Sequence, residues 1–208
     1  MAMKKLLVVG DSFMHPDSGF PGQHWSEMLP EYEIIMRSIS GSSNGMIAYQ
    51  FFQALKLNPD AVVMGFTQPD RIEFLIPPGQ AHSDNIWYSS GNSALNNDQR
   101  LAVDLFRATT DDNMNLFKSC VMARCMFLEC ERRGLPYAFN WNGLYGAPGA
   151  PLVPLIESIV SEFRSRECTN LNGHPEFKMS PGYHTDDPAW QHRMATEVRQ
   201  ILTTVDVC

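Results

Sequence analysis

The stretch Leu6-Leu7-Val8-Val9-Gly10-Asp11-Ser12-Phe13 decides the fold, and it lies close to the first residue of the chain. A short apolar run that ends at Gly-Asp is typical of a buried strand followed by a tight turn. If the strand is parallel to its neighbours, this turn holds Ser12 over the crevice in which α/β folds bind ligands. Serine is favoured at helix N-termini and can also be a nucleophile, so position alone leaves both interpretations of Ser12 open.

The composition predicts one domain and argues against two classes of partner. The chain has 208 residues, of which 44% are hydrophobic, and we expect a single domain over residues 1–208. The net charge of −7 would repel nucleic acid and anionic membranes, so neither is expected as a partner. Asp11 interrupts the first apolar run before it reaches the length of a signal peptide, and no transmembrane segment is visible. We therefore predict a cytoplasmic protein.

The five cysteines indicate neither disulfides nor a metal site. Cys120, Cys125 and Cys130 fall on a predicted helix at spacings of five, which turns each one about 140° from the one before. No CxxC pair and no zinc-ligand spacing occurs. We predict free thiols that are buried or half-buried, and neither a metal nor an organic cofactor.

Predicted strands and helices alternate along the chain. The strands are the run before Ser12, Tyr32 to Ile39, Ala61 to Phe66 and Tyr137 to Trp141. The third is uniformly apolar, which is typical of a central strand in a parallel sheet. Alternation of this kind predicts an α/β fold, a three-layer α/β/α sandwich around a mostly parallel sheet, as in flavodoxin-like proteins.

Apolar residues at helical spacing predict the helices between the strands. One long helical region runs from Gln99 to Arg133, with a break near Thr109 to Asn113. A last helix is predicted from Pro188 to Thr203, with Asp186 or Asp187 as its N-cap. The apolar stripes are Ile47, Phe51 and Leu55 in the first helix, Phe117, Val121 and Leu128 in the long region, Leu152, Ile156, Ile159 and Phe163 in the next, and Trp190, Met194, Val198 and Leu202 in the last.

The segment from about residue 72 to residue 98 shows neither helical nor strand periodicity. It is rich in Pro, Gly, Ser and Asn, yet it contains Trp87 and Tyr88. A loop of this length in a compact domain is usually functional or disordered. Because it carries aromatic side chains, we predict an irregular, lid-like insertion that packs on the domain.

Polar motifs follow three predicted strands in an order that resembles a known superfamily. They are Gly10-Asp11-Ser12, a serine-rich turn that contains Gly41, and Gly65-Phe66-Thr67, and a histidine precedes the last helix. This order resembles the SGNH, or GDSL-like, hydrolases, and the resemblance covers most of the chain. It implies an SGNH-type fold and a serine ester hydrolase without a cofactor. Ser12 would be the nucleophile, and Gly41 would lend its backbone N–H to the oxyanion hole.

The third motif departs from the family pattern. The family usually has Gly-x-Asn here, whose Asn side chain is an oxyanion donor, whereas this chain has Thr67. A lost oxyanion donor costs about 3 kcal/mol of transition-state stabilisation. Asn44 or a backbone N–H is therefore predicted to help Thr67. Threonine followed by Pro and Arg resembles SGNH-type proteins encoded by bacteriophages.

The fourth motif departs as well. The family has Asp-x-x-His before the final helix, and the Asp orients the catalytic His. His184 stands in the matching place, but Pro181 occupies the position of the Asp. We predict a Ser–His dyad, whose ring is held by a backbone carbonyl or by Asp186, Asp187 or Glu176.

Two alternatives stay open from the sequence. His174, in Asn-Gly-His-Pro, is the rival of His184 as the base, although no helix pattern begins behind it. The chain could also be a binding or structural protein with an SGNH-like fold and weak or lost catalysis, because two motifs depart from the pattern. As a hydrolase, it is predicted to act on a small-molecule or carbohydrate ester, with an O-acetylated sugar as the first choice.

Two charged residues, Asp11 and Arg71, have roles that the sequence predicts. Asp11 is predicted to accept backbone N–H groups and so to hold the turn that carries Ser12. Arg71 is expected to anchor the insertion, to bind an anionic group of the substrate, or to pair with Asp70 or Glu73.

Overall fold

A computed structural model of the chain describes residues 3–16, 21–75, 87–89, 96–141, 157–159, 161–168 and 188–204. Four strands form a parallel sheet at its centre, in the order β2-β1-β3-β6. A separate two-stranded antiparallel sheet is formed by β4 and β5. The strands are β1 (Lys4–Val9), β2 (Tyr32–Met36), β3 (Ala61–Gly65), β4 (Glu73–Leu75), β5 (Trp87–Ser89) and β6 (Tyr137–Asn140).

Helices precede and follow these strands as the sequence predicts. The predicted break in the long helical region is confirmed, since Asp111 caps a new helix with its side chain. The α-helices are α1 (Asn44–Ala54), α2 (Asn97–Thr109), α3 (Asp112–Arg133) and α4 (Pro188–Thr204). Short 3₁₀ helices span Ser12–Met14, Trp25–Met28, Leu55–Leu57 and Ser161–Arg166.

Successive residues of the central strands point to opposite sides of the sheet, and both sides are buried. Leu7 and Val9 pack with α1 and α3, whereas Leu6 and Val8 pack with α4 and the first two 3₁₀ helices. Parallel strands that are apolar on both faces need a helical layer on each side. The prediction of a three-layer α/β/α sandwich with β3 in the interior of the sheet is therefore confirmed.

Aromatic rings dominate the α1/α3 face of the sheet. Phe127 of α3 lies at the centre, with its ring centroid 4.5 Å from that of Phe139 and 5.0 Å from that of Phe163. It also contacts the rings of Tyr137, Trp141 and Phe66. Such pairs add about 0.5–1.5 kcal/mol each beyond the area that they bury.

Tryptophan, methionine and aliphatic side chains fill the α4 face. Met14, Trp25 and Met194 are almost completely buried there, together with the predicted stripe of α4. The backbone N–H of Trp25 donates to Gln191 Oε1 at 2.7 Å. This hydrogen bond fixes α4 to the segment that follows the Ser12 turn, across 166 positions of sequence.

The prediction of which side of α3 is buried is wrong. Phe117, Val121 and Leu128 are 37–44% exposed. The buried side is formed by Leu116, Cys120, Ala123, Phe127 and Cys130. Both sides of α3 are apolar, so helical periodicity could not choose between them.

Two of the three helical cysteines agree with the prediction. Cys120 and Cys130 are buried, and burial raises the pKa of each thiol to about 12. Cys168 is also a buried free thiol, whereas Cys125 is exposed and so departs from the prediction.

The segment that was predicted to lack periodicity contains β4 and β5, which pair in antiparallel register. Asn96 caps α2, which begins at Asn97, so the irregular segment ends before the predicted limit at residue 98. Residues 76–86 and 90–95, and the predicted stripe from Leu152 to Ile156, lie outside the described part of the chain. Within that part, no helix is both long and apolar enough to span a bilayer.

Candidate active site

The turn that carries Ser12 is built at the carboxyl end of β1. Asp11 is the N-cap of the 3₁₀ helix Ser12–Met14, and its Oδ1 accepts the Phe13 N–H at 3.1 Å. The carboxylate is 1% exposed, whereas Ser12 is half-buried. The expected role of Asp11 in holding this turn is confirmed, and we call residues 10–14 the Ser12 turn.

Gly10 is required for the close approach of this turn to β3. Its φ is +155°, and a Cβ there would overlap the Met14 side chain and lie 3.0 Å from the Gly65 carbonyl oxygen. Any other residue would push the Ser12 turn away from the sheet. The glycine therefore fixes how deep Ser12 sits at the sheet edge.

The Gly41 turn, residues 40–43, follows β2 at the same edge. Gly41 has a φ of +77°, which is a left-handed conformation that favours glycine. The N–H and the hydroxyl of Ser42 both donate to the Ile39 carbonyl, at 3.1 and 2.8 Å. Ser43 caps α1 by accepting the Met46 N–H. Because β1, β2 and β3 are parallel, Ser12, Gly41 and Thr67 all follow strands at one edge of the sheet.

Asn44 and Thr67 are joined by a pair of hydrogen bonds. Asn44 Oδ1 accepts the Thr67 N–H at 2.9 Å, and Asn44 Nδ2 donates to the Thr67 carbonyl at 3.0 Å. Nδ2 also donates to Ser119 Oγ at 3.0 Å. Both amide hydrogens of Asn44 therefore have protein acceptors, and the side chain fixes the end of β3 instead of pointing at a substrate.

Two side chains connect the Ser12 turn to the Gly41 turn. Gln50 of α1 accepts the Gly10 N–H at 3.1 Å and donates to Ser42 Oγ at 2.8 Å. Arg71 Nη1 donates to the Ser42 carbonyl at 2.9 Å and lies 3.4 Å from Asp11 Oδ2. Arg71 thus places a positive charge beside the buried Asp11 carboxylate.

The partners expected for Arg71 were wrong. Asp70 forms its ion pair with Arg107 at 3.0 Å, and Glu73 accepts a hydrogen bond from Ser43 Oγ. Arg71 instead reaches back across the sheet edge to Asp11, 60 positions earlier in the sequence.

His24 supports the Ser12 turn from the α4 side. Its Nδ1 accepts the Ser26 N–H at 3.3 Å, so the neutral ring carries its proton on Nε2, which lies 3.4 Å from the Phe13 carbonyl. Burial lowers the pKa of His24 from 6.5 to about 4. His15 lies nearby, with Nδ1 3.4 Å from Ser38 Oγ.

The structure thus describes four of the predicted site residues, Ser12, Gly41, Asn44 and Thr67, and it places them at one sheet edge. The predicted base His184, its rival His174, and Pro181, Asp186, Asp187 and Glu176 lie outside the described residues. Among the described residues, no group of three or more His, Cys, Asp or Glu side chains could hold a metal ion.

Sequence reasoning missed the roles of Gln50 and His24. Gln50 had a signal, because it falls between Ile47 and Phe51 on the buried side of α1, where a polar residue needs a partner. His24 had none, since its contacts are made by a short 3₁₀ helix with little periodicity.

Several solved structures have an architecture similar to that of this chain. TesA aligns over 97% of this chain and 99% of its own, with 16% identity and a TM-score of 0.56. The psychrotrophic esterase EstA from Pseudoalteromonas sp., inhibited by monoethylphosphonate, covers 97% of each chain with 11% identity and a TM-score of 0.57. A G-D-S-L family protein from Desulfitobacterium hafniense DCB-2 gives a TM-score of 0.53 at 10% identity, over 96% of this chain.

The chain shares its fold with these proteins. No protein-family model matches its sequence, and no curated protein does. The identities of 10–16% establish the fold alone, so the chemistry is argued from the site residues.

Proposed function

We propose that this chain is a serine ester hydrolase and that Ser12 is its nucleophile. The observation that carries the proposal is the position of Ser12. It lies on a capped turn at the carboxyl end of β1, bridged by Gln50 and Arg71 to the turn that contains Gly41. Open α/β sheets bind ligands at this edge. The fold neighbours, which include a named esterase, agree with this class of reaction.

In the proposed mechanism, Ser12 Oγ attacks the acyl carbonyl while His184 accepts its proton. The tetrahedral oxyanion is stabilised by the backbone N–H groups of Ser12 and Gly41 and by the Thr67 hydroxyl. Collapse expels the alcohol, to which His184 returns the proton, and a water molecule then hydrolyses the acyl-enzyme in the same way. No metal or organic cofactor takes part.

Asn44 has a different role in this proposal from the one that the sequence suggested. Because both of its amide hydrogens are engaged by Thr67 and Ser119, it holds Thr67 in place. Thr67 is then the side-chain oxyanion donor, and Asn44 is a positioning residue.

The preferred substrate is an O-acetyl ester of a carbohydrate, and the chain acts as one domain with residues 72–98 as its lid. Asp186 or Asp187 orients the His184 ring in place of the missing Asp at position 181. The likeness to bacteriophage-encoded members stays a prediction from the sequence.

The test is covalent labelling together with turnover. Wild type is expected to hydrolyse 4-nitrophenyl acetate and to be labelled by a fluorophosphonate probe. Ser12→Ala is expected to lose labelling and at least about 10³-fold in kcat, as loss of a catalytic nucleophile does. Absence of both turnover and labelling in the folded wild type would overturn the hydrolase proposal in favour of a binding protein.

The base is identified by a matched pair of variants. His184→Ala is expected to lower kcat about 10³-fold or more, and His174→Ala is expected to stay within a few-fold of wild type. The reverse result would assign the base to His174 and leave Ser12 as the nucleophile.

A further inference from the structure

A cavity lies beside the first turns of α1. Its volume is about 210 Å³, and it is lined by Gly45, Met46, Tyr49 and Glu73. Pockets for drug-sized ligands usually measure about 300–1,000 Å³. This cavity therefore has room for one ring-sized group and not for a long acyl chain or a peptide.

Glu73 is held at this cavity by the first turn of α1. Ser43 Oγ donates to Glu73 Oε1, and the same serine caps the helix by accepting the Met46 N–H. A Cβ at position 45 would overlap the Glu73 carboxylate, so Gly45 leaves the space that this carboxylate occupies. The carboxylate is thus placed by the fold, although the residue is exposed to solvent.

The cavity and the Ser12 turn are both connected to the Gly41 turn. Arg71, two positions before Glu73, binds the Ser42 carbonyl and lies beside Asp11 of the Ser12 turn. Glu73 accepts a hydrogen bond from the next residue, Ser43. Consecutive residues of the Gly41 turn therefore contact Arg71 and Glu73, which connects the cavity to the turn that Arg71 joins to Asp11.

The lining defines which chemical group fits. A carboxylate accepts hydrogen bonds and repels anions, so phosphate and carboxylate groups are disfavoured. Met46 and Tyr49 offer apolar surface, against which the C–H face of a ring can pack. A neutral ring that carries hydroxyl groups satisfies both parts of the lining.

We propose that the Glu73 cavity binds one neutral sugar ring of the substrate, with Glu73 accepting its hydroxyl groups and Tyr49 packing on its face. This inference rests on the proposed ester hydrolase function, because it assigns the ring to the alcohol part of the ester. Tyr49 and Glu73 then determine selectivity and take no part in bond cleavage.

The experiment compares two acetyl esters in the full chain. One is 4-nitrophenyl acetate, and the other is a mono-O-acetylated methyl glucoside. Tyr49→Ala and Glu73→Gln are each expected to lower kcat/KM at least tenfold more for the sugar ester than for the aryl ester. Phe52→Ala, an exposed aromatic on the same helix, and Glu33→Gln, an exposed carboxylate on β2, are the matched controls and should leave the selectivity ratio unchanged.

A binding measurement separates this inference from the hydrolase proposal. In Ser12→Ala with ¹³C-methyl-labelled methionine, titration with methyl glucoside is expected to shift the Met46 methyl resonance, and Tyr49→Ala should abolish the shift. If wild type does not hydrolyse 4-nitrophenyl acetate but methyl glucoside still shifts the Met46 resonance of Ser12→Ala, the hydrolase proposal fails and the sugar site stands.

If aryl acetate is hydrolysed and the variants change both esters equally, the cavity is not a sugar subsite. A shift that methyl glucosaminide produces and methyl glucoside does not would likewise overturn the neutral-sugar assignment.

Discussion

The two faces of the central sheet hold different halves of the candidate site, and they do so with different chemistry. On the α1/α3 face, the end of β3 is fixed by Asn44, Thr67 and Ser119, which are all neutral. On the α4 face, the Ser12 turn is supported by His24, whose buried ring gains a proton as pH falls. The end of β3 should therefore respond little to pH, whereas the support of the Ser12 turn should respond strongly.

The hydrophobic packing of the two faces differs in how its aromatic rings are arranged. Five aromatic rings surround Phe127 on the α1/α3 face. Buried methionines lie on both faces, Met64 and Met126 on the α1/α3 face and Met14 and Met194 on the α4 face. Rings in fixed mutual orientation specify one packing. We infer that the ring cluster makes the α1/α3 face the more rigid of the two.

Truncation of Phe127 is the largest expected effect. Phe127→Ala should lower the free energy of unfolding by about 3–5 kcal/mol, because a fully buried ring is lost from the centre of the cluster. Met194→Ala on the α4 face should cost less, about 2–3 kcal/mol, because the side chain removed is smaller and leaves a smaller cavity. Urea unfolding of both variants checks this, with exposed Phe52→Ala as the control. Equal losses for Phe127→Ala and Met194→Ala would contradict the contrast between the faces.

The second effect is the pH dependence that His24 confers. Its pKa is about 4 in the folded chain, against 6.5 for the ordinary side chain, so the unfolded chain binds a proton first as pH falls. The stability that neutral His24 contributes is complete above pH 6.5 and is lost between pH 6.5 and pH 4. The loss reaches about 3 kcal/mol.

This pH effect is isolated by His24→Asn, which can still cap the following 3₁₀ helix but does not titrate. The free energy of unfolding of wild type should fall more steeply than that of the variant between pH 6.5 and 4.5. Parallel curves for the two proteins would show that His24 is not buried in its neutral form.

Removal of Arg71 tests the connection between the two halves. Arg71→Ala should lower kcat about 100-fold, since a displacement of about 1 Å between nucleophile and oxyanion donors has this effect. Arg107→Ala, which breaks the exposed pair with Asp70, should change kcat less than twofold.

Chemical rescue of kcat tests whether the guanidinium group of Arg71 itself joins the two turns. Free guanidinium at millimolar concentration should restore part of the kcat of Arg71→Ala and none of that of Ser12→Ala. If Arg71→Ala kept the kcat of wild type, Gln50 alone would be enough to hold the Ser12 turn and the Gly41 turn together.

The smallest expected effect belongs to the neutral network. Asn44→Ala leaves the N–H and carbonyl of Thr67 without their partner and should cost about 2 kcal/mol of stability. Unlike the effect of His24, this loss should be the same at pH 7 and pH 5. A loss that grows as pH falls would contradict the assignment of a neutral network to this face.

The fold could be predicted from the sequence because its periodicities are strong and local. The apolar run from Leu6 to Val9, the stripe of α1 and the stripe of α4 each indicate which of their residues are buried. The exposed side of α3 could not be predicted, since Leu116 and Phe127 pack inward while the equally apolar Phe117 and Leu128 face solvent. Which side of α3 is buried depends on the elements that pack against it, and helical periodicity does not contain that information.

The candidate site could likewise be predicted only in part. Ser12, Gly41 and Thr67 follow from strand ends, because parallel strands bring their carboxyl ends to one edge. The bridging contacts of Arg71 and Gln50 span 60 and 40 positions of sequence and depend on the folded arrangement. Sequence spacing suggested the near neighbours Asp70 and Glu73 for Arg71, whereas the buried charge of Asp11 decided its position.

The hydrogen bond from Trp25 to Gln191 has a consequence for synthesis of the chain. Ribosomes produce β1 and the Ser12 turn long before α4, which completes the covering of Met14 and Trp25. Until α4 emerges, these side chains lack part of their packing and are available to chaperones. Ser12 is thus made well before α4 completes the packing around its turn, so a pause in translation before residue 188 should prolong the period in which Met14 and Trp25 are exposed.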